Sequence, residues 1–306
     1  MLKNHYYMKI KFLLFFSLIN YFCFAQTNLS NPIFTEKIPF ELTKFNNIKV
    51  KTILNKKDTI FLTFDTGATD FYLIKDAIKK YLNPNNLKVL TMEDISDNNF
   101  KIENLEWNHQ QVYPIETTGH ETEGMFGWNM FEGKILEIDY DKNLMTVHDK
   151  LPKISKDYEE FLMEFHKGYF LISIDIQNDK NKYKSKYLFD TGFQKAVMLD
   201  NDLLTKMVFP TDKLDVLKTT ILHNSNNEEI PLKTVKIQKL IFGKYTIENV
   251  PSELNAYNKP SGFETNFLGS DILKRFNIIL DFQHKMVYLK PNQHFNDKYF
   301  DDKKES

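Results

Sequence analysis

Apolar and polar residues alternate with a period of two along most of this chain. The runs are about five to eight residues long and break at clusters of Asn, Asp and Lys, which is the pattern of half-buried strands joined by tight turns. Ile48 to Leu54 and Thr59 to Phe64 flank Asn55-Lys56-Lys57-Asp58 as a hairpin. Tyr169 to Ile176 and Tyr183 to Phe189 flank Asn178-Asp179-Lys180-Asn181 in the same way. A later pair, Leu136 to Tyr140 and Leu144 to His148, has partners in Asn277 to Phe282 and Lys285 to Leu289. Helical patterning is sparse. It predicts short helices over Lys75 to Leu82 and Asp200 to Met207. Asn129 and Asp271 stand where helix N-caps belong. Between the halves, Leu151 to Lys167 reads as a linker, with Tyr158, Phe161, Leu162 and Phe165 spaced for one face of a helix. The fold class expected is all-β.

Two of the predicted strands end in the same tripeptide. Phe61-Leu62-Thr63-Phe64 leads into Asp65-Thr66-Gly67, and Tyr187-Leu188-Phe189 leads into Asp190-Thr191-Gly192. Chance supplies two Asp-Thr-Gly copies in well under about 1% of chains this long, so coincidental turn sequences are a poor explanation. A carboxylate at the tip of a buried strand is costly unless it is used. The surroundings repeat as well. At the 125-residue offset of the two aspartates, Leu73-Ile74 falls on Met198-Leu199 and Ile78 on Leu203. After an insertion, Leu87 to Leu90 matches Leu214 to Leu217. Met125-Phe126-Gly127 matches Phe267-Leu268-Gly269, and the same shift carries Asn129 to Asp271, Phe131 to Leu273, Asp139 to Asp281 and Met145 to Val287. The period is the size of a small domain, far too long for a solenoid. The chain is a duplicated lobe.

These motifs resemble those of the two-lobed aspartic proteases related to retropepsin and pepsin, as found in bacterial secreted proteins. Asp65-Thr66-Gly67-Ala68-Thr69 matches the Asp-Thr-Gly-Ala/Ser-Ser/Thr signature, and the apolar-apolar-Gly triplets ending at Gly127 and Gly269 match the second signature. The resemblance covers about residues 45 to 290. It implies two small β-barrels, closed or partly open, each with a short helix, and an active cleft between them. It implies Asp65 and Asp190 as the catalytic dyad. Thr66 and Thr191 would reach across to the opposite lobe, Gly67 and Gly192 would let the backbone turn behind each carboxylate, and Gly127 and Gly269 would let another strand pass close. Two carboxylates about 3 Å apart repel by roughly 5 kcal/mol at an effective dielectric of 20, so they hold one proton between them. Such a pair activates water on one side and protonates a carbonyl on the other. Two polar hairpins read as flaps: Val89 to Ile102, with its tip at Asp94 to Asn99, and Thr219 to Lys233, with its tip at Asn224 to Glu229. The second lobe departs from the pattern, with Phe193-Gln194 where lobe one has Ala68-Thr69. Phe193 is bulky enough to narrow the cleft or line a subsite. Two readings stay open: an aspartic endopeptidase, or a catalytically impaired relative that holds peptides without cutting them.

Composition bounds the remaining choices. The chain has 306 residues, 42% of them hydrophobic and 26% charged, with 27 Phe. That is a globular composition rich enough in aromatics to fill β cores. At the N-terminus, Lys9 and Lys11 precede the apolar run Phe12 to Ile19, and Cys23-Phe24-Ala25 ends in a small residue. This is the layout of a secretory signal peptide cleaved near Ala25, too short for a permanent membrane helix. Cleavage leaves 37 basic against 41 acidic residues, a net charge of −4, and no cysteine. Nucleic-acid binding and thiol catalysis are thereby disfavoured. His120-Glu121-Thr122-Glu123 lacks a second His at zinc-protease spacing. The expectation is an exported monomer with an internal pseudo-dimer, acting on a peptide or protein substrate with no cofactor and no metal. Its N-terminal lobe would run from 26 to 150, its linker from 151 to 167 and its C-terminal lobe from 168 to 291. A polar tail from 292 to 306 would fray over about its last ten residues.

Overall fold

The structure, a computed structural model, describes residues 34–82, 95–119, 121–223, 229–255 and 264–300. The signal-peptide segment, the start of the first predicted flap up to Asp94, and most of the second predicted flap tip lie outside these residues. The body beginning at Thr35 is all-β and built on three sheets. Each lobe has an eight-stranded sheet, and a six-stranded sheet runs beneath both.

The six-stranded sheet carries the pseudo-twofold relation. At its centre Ile135–Asp139 pairs antiparallel with Phe276–Asp281, with Glu137 opposite Ile279. Those two residues are equivalent under the repeat, so the local axis passes through them. Leu144–His148 and Met286–Pro291 flank the central pair, and Thr35–Pro39 and Glu159–Leu162 form the two edges. The inter-lobe segment is therefore not a helix. Glu159–Leu162 and Glu164–His166 are strands. Glu159–Leu162 does for lobe two what Thr35–Pro39 does for lobe one. The spacing of Phe161 and Phe165 reflects β packing: Phe161 lies against the main core, and Phe165 against Trp128 of lobe one.

In lobe one, Ile48–Leu54 and Asp58–Asp65 form the expected hairpin. Asn55 and Lys56 both adopt positive φ in its turn, the geometry that suits a right-twisted hairpin. Asp58–Asp65 also pairs in parallel with Gly124–Gly127, placing Asp65 opposite Gly127. Lobe two repeats this with Asn181–Phe189 and Asn266–Leu268, placing Phe189 opposite Leu268. The lobe-two sheet curls far enough for Tyr169–Asn178 to pair also with Glu229–Phe242. Lobe one has the equivalent pairing, with Ile53 and Leu54 of Ile48–Leu54 opposite Lys101 and Phe100 of Asn98–Ile102. Asn98–Ile102 pairs with Leu105–Gln110, so the described arm of the first predicted flap turns at Glu103-Asn104. Asp215–His223 and Glu229–Phe242 are the arms of the second.

The repeat register needs one correction. Phe71 stands opposite Phe126, while Val197 stands opposite Leu268. Leu73 is thus equivalent to Leu199, not to Met198, and the loop after the second Asp-Thr-Gly is one residue longer. Burial agrees, since Phe71, Leu73, Val197 and Leu199 are all fully buried. A one-residue slip would have turned each of them to the wrong face. The helices are short: Lys75–Tyr81, Asn201–Lys206 and Ser270–Leu273. Asp200 caps the second, accepting from the amides of Asp202 and Leu203. Asn129 and Asp271 are not caps, because Gly127 and Gly269 occupy those positions. The tail is anchored through Phe300: the Tyr299 hydroxyl donates to Glu248 O, and Phe295 packs on the core. Among the described residues no helix is long and apolar enough to cross a membrane.

Candidate active site

Asp65 ends its strand, Asp190 directly follows the equivalent strand, and the two meet where the lobes meet. Their carboxyl groups lie within hydrogen-bonding reach of each other. Beneath them the two threonines interlock. Thr66 Oγ1 donates to Phe189 O at 2.6 Å and accepts from the Thr191 amide at 3.0 Å. Thr191 Oγ1 donates to Phe64 O at 2.9 Å and accepts from the Thr66 amide at 3.0 Å. Both threonines are buried, so each bond also satisfies a backbone group that water cannot reach. The network is reciprocal and fixes the separation of the two strand ends.

The glycines matter for a reason different from the one expected of a tight turn. Neither Gly67 nor Gly192 is in the left-handed region. A Cβ built on Gly67 would instead lie 2.5 Å from the Asp190 Cγ, and one on Gly192 would lie 2.2 Å from Asp65 Oδ2. Each carboxyl rests on the bare backbone of the opposite lobe. Gly127 and Gly269 are crowded in a second way: a Cβ there would come within 2.3 Å of Thr69 Cα and 2.1 Å of Lys195 O. The Gly127 amide donates to Asp70 O, and the Gly269 amide to Ala196 O, so each second signature threads against its own aspartate loop.

Electrostatics separates the two acids. Gly67 donates its amide to Asp65 Oδ1 at 2.7 Å. Asp190 Oδ1 accepts two amides, from Gly192 at 2.9 Å and Phe193 at 2.8 Å. Asp65 keeps part of its surface open while Asp190 is buried. Burial raises the Asp65 pKa, with the Gly67 amide, its bond to Asp190 and the Gly192 amide opposing. Burial and then the Asp65 charge push Asp190 well above the ordinary carboxylate range, against the pull of the Phe193 and Gly192 amides. Both acids are thus pushed up, Asp190 the further. The pair titrates as one unit.

Phe193 keeps its backbone role, since its amide binds Asp190. Its ring lies against Phe267, with centroids 5.9 Å apart, and over Gly269 of its own lobe. Neither Ala68 nor Phe193 offers a hydroxyl to a carboxyl. Gln194 turns toward lobe one, where its Nε2 donates to Asn47 Oδ1 at 2.9 Å. Asn47 has no sequence signal, because its partners lie 144–147 positions away. Next to it, the Ser270 hydroxyl donates to Phe45 O and Lys274 Nζ to Asn46 Oδ1, so the turn before Ile48 docks on the lobe-two helix. Lys274 also pairs with Asp271 at 2.9 Å, both 3% exposed. A cavity of about 480 Å³, lined by Glu164, His166, Lys184 and Met207 among others, includes neither aspartate in its wall.

No protein-family description and no curated protein sequence matches the chain. Among solved structures it is similar to the crystal structure of an aspartic proteinase from Irpex lacteus. The TM-score is 0.53 at 12% identity, over 86% of this chain and 99% of that one. The two-lobed fold of a pepsin-like acid protease is thereby shown.

Proposed function

We propose that the protein is an aspartic endopeptidase that hydrolyses peptide bonds with water activated between Asp65 and Asp190. The observation that carries this reading is the meeting of two unequal carboxyl groups, each seated on the opposite lobe's glycine above the interlocked threonines. Asp65, the readier to ionise, takes the proton of the attacking water. Asp190 donates its proton to the carbonyl oxygen of the scissile bond, and collapse of the tetrahedral intermediate then returns protons between the two groups and the leaving amine. The Asp190 amide contacts hold the acid in place without being consumed.

A peptide library incubated with the protein across acid to neutral pH, with and without a pepstatin-type inhibitor, tests the reading. Cleavage blocked by the inhibitor supports it; the absence of cleavage across the range, in a folded protein, refutes it. The Phe193-Gln194 departure after the second Asp-Thr-Gly favours a second reading, a cleft that binds peptides without cutting them. Inhibitor binding in the absence of cleavage would select that one. The chain is further proposed to be exported after cleavage near Ala25, on the strength of its charged, apolar and small-residue N-terminal segments. Mass spectrometry of the N-terminus of protein recovered outside the cytoplasm tests this: a chain still carrying the segment before Ala25 contradicts it.

A further inference from the structure

Asn47 is fully buried in lobe one, yet its side chain is spent on lobe two. Its Nδ2 donates to Thr191 O and to Gly192 O, both at 3.0 Å. Those carbonyls belong to two particular peptide units. The unit from Thr191 to Gly192 carries the Gly192 N–H, and the unit from Gly192 to Phe193 carries the Phe193 N–H. Both of these N–H groups donate to Asp190 Oδ1. A peptide unit is planar and trans, so fixing its oxygen aims its hydrogen. Hydrogen bonds in series also polarise one another. Gln194 then fixes Asn47 in the required orientation by donating to its Oδ1, which leaves Nδ2 pointing at the carbonyls. The extra residue in the lobe-two loop falls between Phe193 and Ala196, next to Gln194. Lobe one differs, for its equivalent Thr69 lies beside Tyr72 of its own lobe.

We infer that Asn47, oriented by Gln194, is a positioning residue: from the opposite lobe it holds the two amides that orient and stabilise the Asp190 carboxylate. The inference rests on the proposed peptidase reading for its kinetic test, though not for its spectroscopic one. It also gives the Phe193-Gln194 departure a purpose, since Gln194 completes a brace. The titratable group facing Asp190 is Asp65, and the groups on its other sides are the Gly192 and Phe193 amides and the Gly67 backbone.

The test compares wild type, Asn47→Ala and Gln194→Ala in two ways. One is the pH profile of kcat and KM on a cleaved peptide. The other is a ¹³C titration of the Asp carboxyl carbons, with the Asp190 signal assigned by its loss in Asp190→Asn. Releasing the amides destabilises the Asp190 anion, so its pKa rises. Asn47→Ala is expected to lower kcat roughly 10- to 100-fold with KM little changed. Its alkaline limb should move up by about half a pH unit or more. Gln194→Ala, at a half-buried site, should shift the limb in the same direction by less. A merely structural role would lower the melting temperature and leave the alkaline limb and the Asp190 titration in place, and that result overturns the inference. If Asn47→Ala does not fold, Gln194→Ala decides by the same criterion. If the wild type cuts no peptide, the peptidase reading fails by itself. The carboxyl titration then decides: an upward move of Asp190 in the variants supports the brace, and an unmoved Asp190 overturns it.

Discussion

Gly192→Ala is predicted to destabilise the protein only while the carboxyl of Asp65 is present. The added Cβ would sit 2.2 Å from Asp65 Oδ2 and 2.3 Å from its Cγ, about 1.2 Å short of the 3.4 Å where ordinary contact begins. The backbone itself tolerates alanine, because φ is not positive there. Overpacking of this kind costs about 1–3 kcal/mol. For a body of this size that is a fall in Tm of about 2–4 °C per kcal/mol. Asp65→Ala removes the obstructing atoms. In that background Gly192→Ala should be neutral, or stabilising by about 0.4–1 kcal/mol through the less flexible unfolded chain. The assay is a double-mutant cycle by urea denaturation, with an expected coupling of about 1–3 kcal/mol. Gly133→Ala serves as control, for Gly133 has φ +70° and nothing within 4 Å of a Cβ. Its cost should be backbone strain, equal in both backgrounds. If Gly192→Ala costs as much without the Asp65 carboxyl as with it, the steric reasoning is refuted.

Other outcomes follow from the same geometry. Asp190 has a folded pKa raised above its unfolded value, so its protonated form stabilises the protein. That stability is fully present below about pH 4 and is lost as pH rises through the raised folded value. The urea midpoint should therefore fall with rising pH above about 4 in the wild type, and this component of the fall should vanish in Asp190→Asn. Thr191→Val should cost about 2–4 kcal/mol, since it leaves Phe64 O and the Thr66 amide buried without their partner, as a shift in urea midpoint would show. Combining it with Thr66→Val should cost less than the sum, because the two hydroxyls serve one network. Lys274→Met should cost about 3–5 kcal/mol by stranding the buried Asp271 charge, and adding Asp271→Leu should recover most of it in the same denaturation assay.

The parts legible in the sequence were those set by local pattern. Strands alternate with period two, so the Asp65 and Asp190 hairpins could be read, and a duplicated tripeptide located the candidate acids. What could not be read depends on pairing across long separations. Glu159–Leu162 is a strand because Met286–Pro291 offers it an edge, and nothing within 151–167 records that edge. Its apolar residues fit a helical face as well as a strand, since short runs are ambiguous by periodicity alone. The extra residue after Phe193 stayed hidden because either register places apolar residues opposite one another. The glycines were legible as required, but the reason was not, because the obstructing carboxyl comes from the other lobe. Asn47 is an ordinary turn asparagine until lobe two is folded against it.

The decisive measurement is cleavage by three folded proteins, the wild type, Asp65→Asn and Asp190→Asn, of one library-derived peptide at acid pH in H₂¹⁸O. If the two acids share the work, the wild type cuts and one ¹⁸O enters the new carboxylate, while each Asn variant loses all but roughly a thousandth of kcat/KM. Retention of near wild-type cleavage by either variant would contradict the dyad.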